Sequence, residues 1–270
     1  MTYQTFAVNI ANHVAQVTIN RPERANALNQ TAWDEMKAIF EDLDDNEAVR
    51  AIVLCGEGKH FCSGIDLELL MNVTELNQIK CEGRKREKMR QNVLDLQAPI
   101  NAIENCSKPV LAAIHGGCIG GGVDVISACD MRYATQDAYF CIREIDMGMV
   151  ADLGTLQRLP KLIAEGMVRE LAYTGRNVYG PEAERIGLTN ATFPDRETLL
   201  TEVMKIAETI AKKSPISVRG TKHILLHTRD HSVADGLSYM ATWNAAMILS
   251  NDLMEAFQSK IQKREAVYQD

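Results

Sequence analysis

The hydrophobic pattern of this chain changes once along its length, and that change constrains the fold more than any other feature. Short apolar runs alternate with helical segments up to about residue 190, whereas only helical periodicity follows residue 195, with a break near Ser214-Pro215. Alternating strands and helices indicate an α/β unit, and a run of helices indicates a helical appendage. We therefore predict two parts, residues 1–195 and 196–270, without a flexible linker between them.

Several segments of the first part have a clear period. Residues 6–19 alternate around a turn at Asn12-His13, which predicts a β-hairpin, and an apolar stripe predicts a helix over 31–43. The other predicted strands are 51–54, 109–114 and 138–142, and the other predicted helices are 74–105, 123–128, 153–163 and 182–186.

The composition excludes several classes of protein. The 270 residues carry a formal net charge of −7, which disfavours nucleic acid as a partner because that binding needs a clustered basic face. Seven irregularly spaced cysteines predict reduced, packed thiols, and the scattered histidines predict no metal. We expect no membrane partner, because no apolar run approaches the ~20 residues of a span. Neither end of the sequence reads as a secretory, mitochondrial or peroxisomal address, so we expect a cytoplasmic protein.

A glycine-rich segment, His115 to Gly122, follows a predicted strand and opens a predicted helix. It fits neither the dinucleotide spacing GxGxxG nor a phosphate loop. It is either a tight turn that allows close helix–strand packing, or an anion site in which the N–H of Gly121 lies at a helix N-terminus. The upstream loop 56–67 either supplies a second N–H for an oxyanion hole or only lets Asp66 cap a helix.

Three carboxylates, Asp124, Glu144 and Asp152, lie within 29 residues of one another beside the glycine segment. Asp124 falls in the first turn of the predicted helix, where it either interacts with the helix dipole or points into a partly closed space. Asp152 is either the N-cap of the helix that follows it or a functional acid. Paired acids next to an oxyanion hole suit proton transfer beside a carbonyl.

The position of Glu144 depends on where the preceding strand ends. If the alternation of residues 138–142 continues, Glu144 lies at the end of an apolar strand face, where burial raises the pKa of a carboxyl. Alternatively the strand ends at Ile142, and Glu144 faces solvent or pairs with Arg143.

These residues lie in motifs that resemble the crotonase (enoyl-CoA hydratase/isomerase) superfamily over nearly the whole chain. The matching segments are Asn20 to Leu28, Phe61 to Leu67, Lys108 to Gly122, Thr155 to Pro160 and Tyr173 to Arg176. The resemblance implies an α/β fold, a crotonase-like spiral of ββα units with a C-terminal helical region for trimerisation, and assembly into trimers or dimers of trimers. It also implies an acyl-CoA thioester as substrate and no separate cofactor, because CoA is part of that substrate.

By position, the resemblance assigns the thioester oxygen to the N–H groups of Ile65 and Gly121. The substrate-binding residues that it implies are Arg24, Ala25, Ser63, Gly64, Ile65, Asp66, Leu67 and Gly121.

Within the superfamily, residues 122–133 are most similar to the Δ3,5-Δ2,4-dienoyl-CoA isomerases. Typical hydratases have Glu where this chain has Asp124, and they carry no acid at the position of Asp152. The resemblance implies an isomerase of fatty acid β-oxidation in which Asp152 is the base at C2, Glu144 donates a proton at C6, and Asp124 orients or tunes them. One alternative is an enoyl-CoA hydratase or Δ3-Δ2-enoyl-CoA isomerase. An alternative of another class is a non-catalytic acyl-CoA-binding or RNA-associated scaffold.

Overall fold

The computed structural model describes residues 3–71 and 78–270. The strands are β1 (Phe6–Ala11), β2 (Val14–Ile19), β3 (Ala51–Gly56), β4 (Val110–Ile114), β5 (Gly117–Ile119), β6 (Met131–Thr135), β7 (Tyr139–Cys141), β8 (Val178–Tyr179) and β9 (Ala191–Phe193). The first six α-helices are α1 (Gln30–Asp45), α2 (Leu67–Met71), α3 (Glu82–Asn105), α4 (Gly121–Ala128), α5 (Thr155–Arg158) and α6 (Glu165–Thr174). The later ones are α7 (Gly180–Arg185), α8 (Arg196–Ala211), α9 (Pro215–Arg229), α10 (Val233–Met247) and α11 (Asn251–Gln262). Short 3₁₀ helices cover Pro22–Arg24, Arg143–Met147 and Leu159–Lys161.

The main sheet has six strands in the order β1-β2-β3-β4-β6-β9. β1 and β2 pair antiparallel as the predicted hairpin, and the other neighbours pair parallel. β3 and β4 are buried along their whole lengths because helices cover both faces of the sheet, which explains their continuous apolar sequences. Ile52 and Leu54 of β3 belong to the core that contains α1, whereas Val53 packs in a second core with Leu199 and Val203 of α8.

A smaller sheet brings the segments of the site together. It has the order β5-β7-β8, with β5 and β7 parallel. Outside the sheets, Cys62 forms an isolated parallel bridge with Cys118, and Leu28 forms another with Ile65. The loops around residues 20–28 and 62–66 therefore lie side by side next to the glycine run, the glycine-rich segment of residues 115–122.

The predicted α/β class is confirmed, and so are the hairpin, the first helix and the run of helices after residue 195. The predicted strand over 138–142 is too long. β7 ends at Cys141 because its partner β5 ends opposite it at Ile119, and Glu144 lies in the 3₁₀ helix Arg143–Met147 rather than on a strand face.

Two predicted helices also differ. Residues 153–163 form the short α5 and then the 3₁₀ helix Leu159–Lys161, because Pro160 has no N–H with which to continue an α-helix. The helix predicted over 74–105 begins at Glu82, and the part of that prediction over 74–77 lies outside the described residues.

The C-terminal helices attach to the sheet through α8 and α9. Lys222 of α9 is buried, and its Nζ donates to Oδ2 of Asp130 at 2.8 Å and to the carbonyl of Lys108 at 3.1 Å. The outer helices leave large apolar side chains in solvent, namely Leu225, Val233, Leu237, Leu249, Met254, Phe257 and Ile261.

The cysteines agree with the prediction of packed thiols. All seven are free, and all but Cys81 are buried. Along residues 3–71 and 78–270, no helix is long and apolar enough to cross a bilayer.

Candidate active site

The backbone amides of Ile65 and Gly121 lie close together where the glycine run meets the 62–66 loop. A Cβ added to Gly121 would lie 3.5 Å from the Ile65 nitrogen, and one added to Gly64 would lie 3.5 Å from the Gly121 nitrogen. Within the described part of the chain, neither amide donates a hydrogen bond. Gly121 begins α4, where unpaired N–H groups and the helix dipole favour negative charge. Two such donors suit an oxygen that becomes negatively charged during a reaction.

Gly64 permits this approach of the two segments. Its φ is +98°, and a Cβ there would come within 2.9 Å of the Ile119 carbonyl oxygen. Neighbouring backbone bonds fix the loop: the Leu28 amide donates to the Gly64 carbonyl at 2.8 Å, and the Ser63 amide donates to the Ala25 carbonyl at 3.0 Å. Residue 64 must therefore be glycine, both because its φ is positive and because a Cβ would collide with the Ile119 carbonyl.

The side chains of the two predicted binding loops have different surroundings. Arg24 is exposed and pairs with Glu68 at 2.8 Å, and Leu67 is also exposed. Asp66 is buried, contacts Arg21 at 3.2 Å, and accepts a hydrogen bond from the Glu68 amide at 3.2 Å. Asp66 thus caps α2, as one of the two sequence alternatives proposed, and its carboxylate is already engaged.

Asp124 is buried in the first turn of α4, with 1% of its surface exposed. Its Oδ1 accepts hydrogen bonds from the amide and the hydroxyl of Thr155, both at 2.7 Å. Its Oδ2 is buried and has no partner among the described residues. The side chain therefore points into a closed space, and the helix dipole alone does not account for its setting.

Glu144 is half-buried beside the glycine run. A Cβ added to Gly120 would lie 3.2 Å from its Oε1, and its Oε2 is buried without a partner in the described structure. Arg143 pairs instead with Asp146, at 2.8 Å. The predicted burial of the Glu144 carboxyl is confirmed, although Glu144 follows the strand rather than extending its face. The alternative in which Glu144 faces solvent or pairs with Arg143 is wrong.

Asp152 is more exposed than the other two acids and lies between the buried Ala151 and Leu153. It does not cap α5, because the N-cap there is Gly154 and no side chain forms a capping hydrogen bond. Its backbone carbonyl accepts a hydrogen bond from Nε2 of Gln97, at 2.6 Å. The N-cap interpretation of Asp152 is therefore wrong.

The three carboxyls share one electrostatic environment. The pKa of Asp124 is raised to about 7: burial is the largest cause, the Thr155 hydrogen bonds oppose the rise, and the charges of Glu144 and Asp152 add to it. Burial also raises the pKa values of Glu144 and Asp152, and the charge of Asp152 adds to the rise at Glu144. Carboxyls with raised pKa values can hold and release protons near neutral pH. This arrangement, beside two unpaired amides, suits proton transfer next to a carbonyl.

Several residues around the site were not singled out as site residues from the sequence. Thr155 holds Asp124, Gln97 holds the backbone of Asp152, and Cζ2 of Trp33 would lie 3.7 Å from a Cβ on Gly121. Trp33 appears in the sequence only as part of the apolar stripe of α1, and Gln97 only as one polar residue of a polar helix. These contacts join elements distant in sequence, and no local pattern indicates them.

The described residues contain no group of three or more His, Cys, Asp or Glu side chains that could hold a metal ion.

The chain is similar in sequence and in structure to several known proteins. The sequence profile described as Enoyl-CoA hydratase/isomerase matches residues 9–270. The peroxisomal Δ3,5-Δ2,4-dienoyl-CoA isomerase of Arabidopsis thaliana is 47% identical over 268 residues, which are 98% of this chain and 96% of that protein. The mitochondrial Δ3,5-Δ2,4-dienoyl-CoA isomerase of Mus musculus is 44% identical over 267 residues, 97% of this chain and 81% of that one. The crystal structure of an enoyl-CoA hydratase from Bacillus anthracis superposes with a TM-score of 0.89 at 30% identity and covers 98% of this chain and 99% of that chain.

These relatives correct one expectation. The prediction of a cytoplasmic protein is wrong, because these similar proteins are named peroxisomal and mitochondrial. The prediction rested on reading the two ends of the sequence for address signals, which are short and are recognised by receptors.

Proposed function

The chain belongs to the enoyl-CoA hydratase/isomerase family, and from that premise we propose that it isomerises a 3,5-dienoyl-CoA to a 2,4-dienoyl-CoA in fatty acid β-oxidation. The observation that carries the proposal is the grouping of Asp124, Glu144 and Asp152, whose charges act on one another beside the free amides of Ile65 and Gly121. The names of the similar isomerases from Arabidopsis thaliana and Mus musculus support it.

The reaction moves two conjugated double bonds by one proton removal and one proton addition. Asp152, ionised, removes a proton from C2, and the C–H electron pair enters the conjugated system and reaches the thioester oxygen. The amides of Ile65 and Gly121 stabilise that oxygen, and one such donor typically contributes ~2.7–4 kcal/mol. Glu144, protonated, then gives its proton to C6, which leaves double bonds at C2–C3 and C4–C5.

The settings of the two acids suit these two roles. The sheltered carboxyl of Glu144 has a raised pKa, which favours the protonated form that a donor needs. Asp152 is more exposed, so it can pass the proton it has taken to solvent before the next turnover. Asp124 orients or tunes the two acids: their charges act on its carboxyl, and Thr155 holds that carboxyl in place.

A hydratase is the main competing activity, since the similar Bacillus anthracis structure is an enoyl-CoA hydratase. Hydration requires a water molecule held between two acids. Asp124 is one methylene shorter than Glu, and Thr155 already occupies its Oδ1 with two hydrogen bonds. Its remaining oxygen is enclosed, which supports isomerisation over hydration.

A spectrophotometric assay tests this function. With a 3,5-dienoyl-CoA, we expect the absorbance of a 2,4-dienoyl thioester to appear, and with a 2-enoyl-CoA we expect little loss of enone absorbance. Asp152→Asn should lower the isomerisation rate at least ~100-fold, as loss of an acid–base group does. The matched control is Asp146→Asn, because Asp146 is exposed and, among the described residues, forms its ion pair with Arg143 alone. Rapid hydration of the 2-enoyl-CoA without isomerisation would contradict the proposal.

We also propose that the chain assembles with copies of itself, as a trimer or a dimer of trimers, through residues 196–270. The large apolar side chains exposed on α9, α10 and α11 and at Leu249 support this role, because exposed apolar groups of this kind mark interaction surfaces. The acyl-CoA substrate brings its own CoA, and we propose no further cofactor.

A further inference from the structure

The loop that carries Asp152 is attached to the helix α3 by side chains on one face of that helix. Nε2 of Gln97 donates to the Asp152 carbonyl at 2.6 Å. Further along α3, Asn101 and Glu104 accept hydrogen bonds from Nη2 of Arg158, at 2.8 and 2.9 Å. Positions 97, 101 and 104 follow helical spacing, so all three side chains face the loop.

Arg158, on the loop side, forms the other contacts that attach the loop to α3. Its Nε also donates to Glu104, at 3.0 Å, so the pair is bidentate, and both side chains are largely buried. Gly154 lies directly over the guanidinium: a Cβ there would come within 1.8 Å of Nη1. The backbone on the C-terminal side of Asp152 is therefore fixed, and Gln97 fixes the carbonyl of Asp152 itself.

The carboxylate of Asp152 has no hydrogen bond from another side chain within the described residues. A base that takes a proton from carbon needs such an unpaired carboxylate, and its direction must then come from its backbone. Among the described side chains, that of Gln97 donates a hydrogen bond to the backbone carbonyl of Asp152.

Gln97 lies two residues before a proline inside α3. Pro99 follows it within the helix and removes one backbone hydrogen bond there. The fully buried side chains of α3 are Pro99, Ile100 and Ile103, and before Pro99 the partly buried Leu96 also packs against the core. Gln97 supplies a hydrogen bond that joins the segment of α3 before Pro99 to the Asp152 loop.

We propose that Gln97 is a positioning residue that sets the direction of the Asp152 carboxylate towards C2 of the acyl chain, an inference that rests on the function proposed above. Asp152 abstracts the proton, and Gln97 acts only through the Asp152 carbonyl. Loss of this bond misdirects the base while the thioester remains held by the Ile65 and Gly121 amides.

The test compares Gln97→Met, which keeps the side-chain length but loses the donor, with Gln91→Met. Gln91 is on the same helix and is exposed, and within the described structure its side chain donates to Asp95 alone, at 2.8 Å. With a 3,5-dienoyl-CoA we expect kcat of Gln97→Met to fall about tenfold with KM unchanged, since small displacements of a reacting group cost one to two orders of magnitude. Gln91→Met should match the wild type, and both variants should keep its melting temperature.

A double-mutant cycle with Asp152→Asn separates positioning from a general structural effect. If Gln97 acts through Asp152, Gln97→Met should lower kcat of the wild type but leave the residual rate of Asp152→Asn unchanged. An equal tenfold loss in both backgrounds, or equal kcat values for the Gln97 and Gln91 variants, would overturn the inference while wild-type turnover still supports the proposed function. A wild-type enzyme that does not isomerise the substrate would overturn both.

Discussion

Thr155 donates its backbone amide and its hydroxyl to the same oxygen of Asp124, each at 2.7 Å. Thr155 begins α5, three residues after Asp152, so one turn of chain both holds Asp124 and carries Asp152. The second oxygen of Asp124 remains enclosed without a partner in the described structure. Thr155 therefore fixes the position of the Asp124 carboxyl between α4 and the Asp152 loop.

Thr155→Val should destabilise the protein, because it removes one hydrogen bond to a buried carboxyl while keeping the shape of the side chain. We expect the free energy of unfolding in urea at pH 8 to fall by about 1.5–3 kcal/mol. The pKa of Asp124 should rise, since the Thr155 hydrogen bonds lower it. Thr174→Val is the control, because Thr174 is exposed and its hydroxyl, among the described residues, bonds backbone groups alone, the Glu170 carbonyl and the Arg176 amide. Equal stability of Thr155→Val and the wild type at pH 8 would contradict this account.

Stability should depend on pH through Asp124. Its pKa in the folded protein, about 7, lies above the usual value of 3.8, so the folded state binds more protons between these values. The free energy of unfolding should therefore fall as pH rises from about 4 to about 7, with a contribution from Asp124 on the order of 4 kcal/mol. Above that range the contribution is constant.

Asp124→Asn checks this pH dependence, because an amide does not titrate. Urea unfolding across this pH range should show a smaller decrease for the variant than for the wild type. The remaining decrease comes from Glu144 and Asp152, whose pKa values are also raised. Parallel curves for the two proteins would show that Asp124 is ionised throughout and would contradict the prediction.

Gly120 should be required for the position of Glu144. Its φ is +50°, and a Cβ there would lie 3.2 Å from Oε1 of Glu144. Gly148 has a similar φ of +69°, but a Cβ there would meet nothing within 4 Å. Gly120 (ψ −118°) lies in a region open almost only to glycine, whereas Gly148 (ψ 25°) is left-handed helical. Gly120→Ala should therefore carry the larger conformational cost, and Gly148→Ala a cost of about 1–2 kcal/mol.

The two alanine variants should differ in activity. Gly120→Ala should lower kcat for the 3,5-dienoyl-CoA by about one to two orders of magnitude, because the displaced carboxyl no longer reaches C6. Gly148→Ala should retain kcat near the wild-type value. Similar losses in both variants would assign the effect to backbone strain rather than to Glu144.

Assembly should depend on the apolar surface of the C-terminal helices. Leu249, between α10 and α11, is 91% exposed in the single chain. Leu249→Glu should reduce the mass observed by sedimentation equilibrium at micromolar concentration, because it places a charge in the proposed contact. Gln136→Glu adds the same charge at an exposed turn of the first part and should assemble as the wild type does. An unchanged mass for Leu249→Glu would exclude this surface.

The sequence predicts the fold well where periodicity is strong. The buried strands β3 and β4 and the stripe of α1 are local patterns that burial on one or two faces produces directly. The end of β7 is different, since it depends on where β5 stops pairing and not on the sequence of β7 itself.

The site is predictable only in part for the same reason. The glycine run and the three acids lie in short motifs, so their sequence singles them out. The carboxyl of Glu144 packs against Gly120, which has no side chain to displace it. The backbone of Asp152 is held by a hydrogen bond from Gln97, which lies 55 residues away in sequence. Such contacts follow from packing between elements, which a single sequence does not reveal.

Deuterium incorporation tests the assignment of the two acids most directly. The 3,5-dienoyl-CoA is incubated in D₂O with the wild type, Asp152→Asn or Glu144→Gln, and NMR measures deuterium at C2 of the recovered substrate and at C6 of the product. We expect the wild type to place one deuterium at C6. Glu144→Gln should still exchange C2 while it forms product at least ~100-fold more slowly, and Asp152→Asn should do neither. Exchange at C2 by Asp152→Asn, or deuteration at C6 by Glu144→Gln, at the wild-type rate would contradict the mechanism.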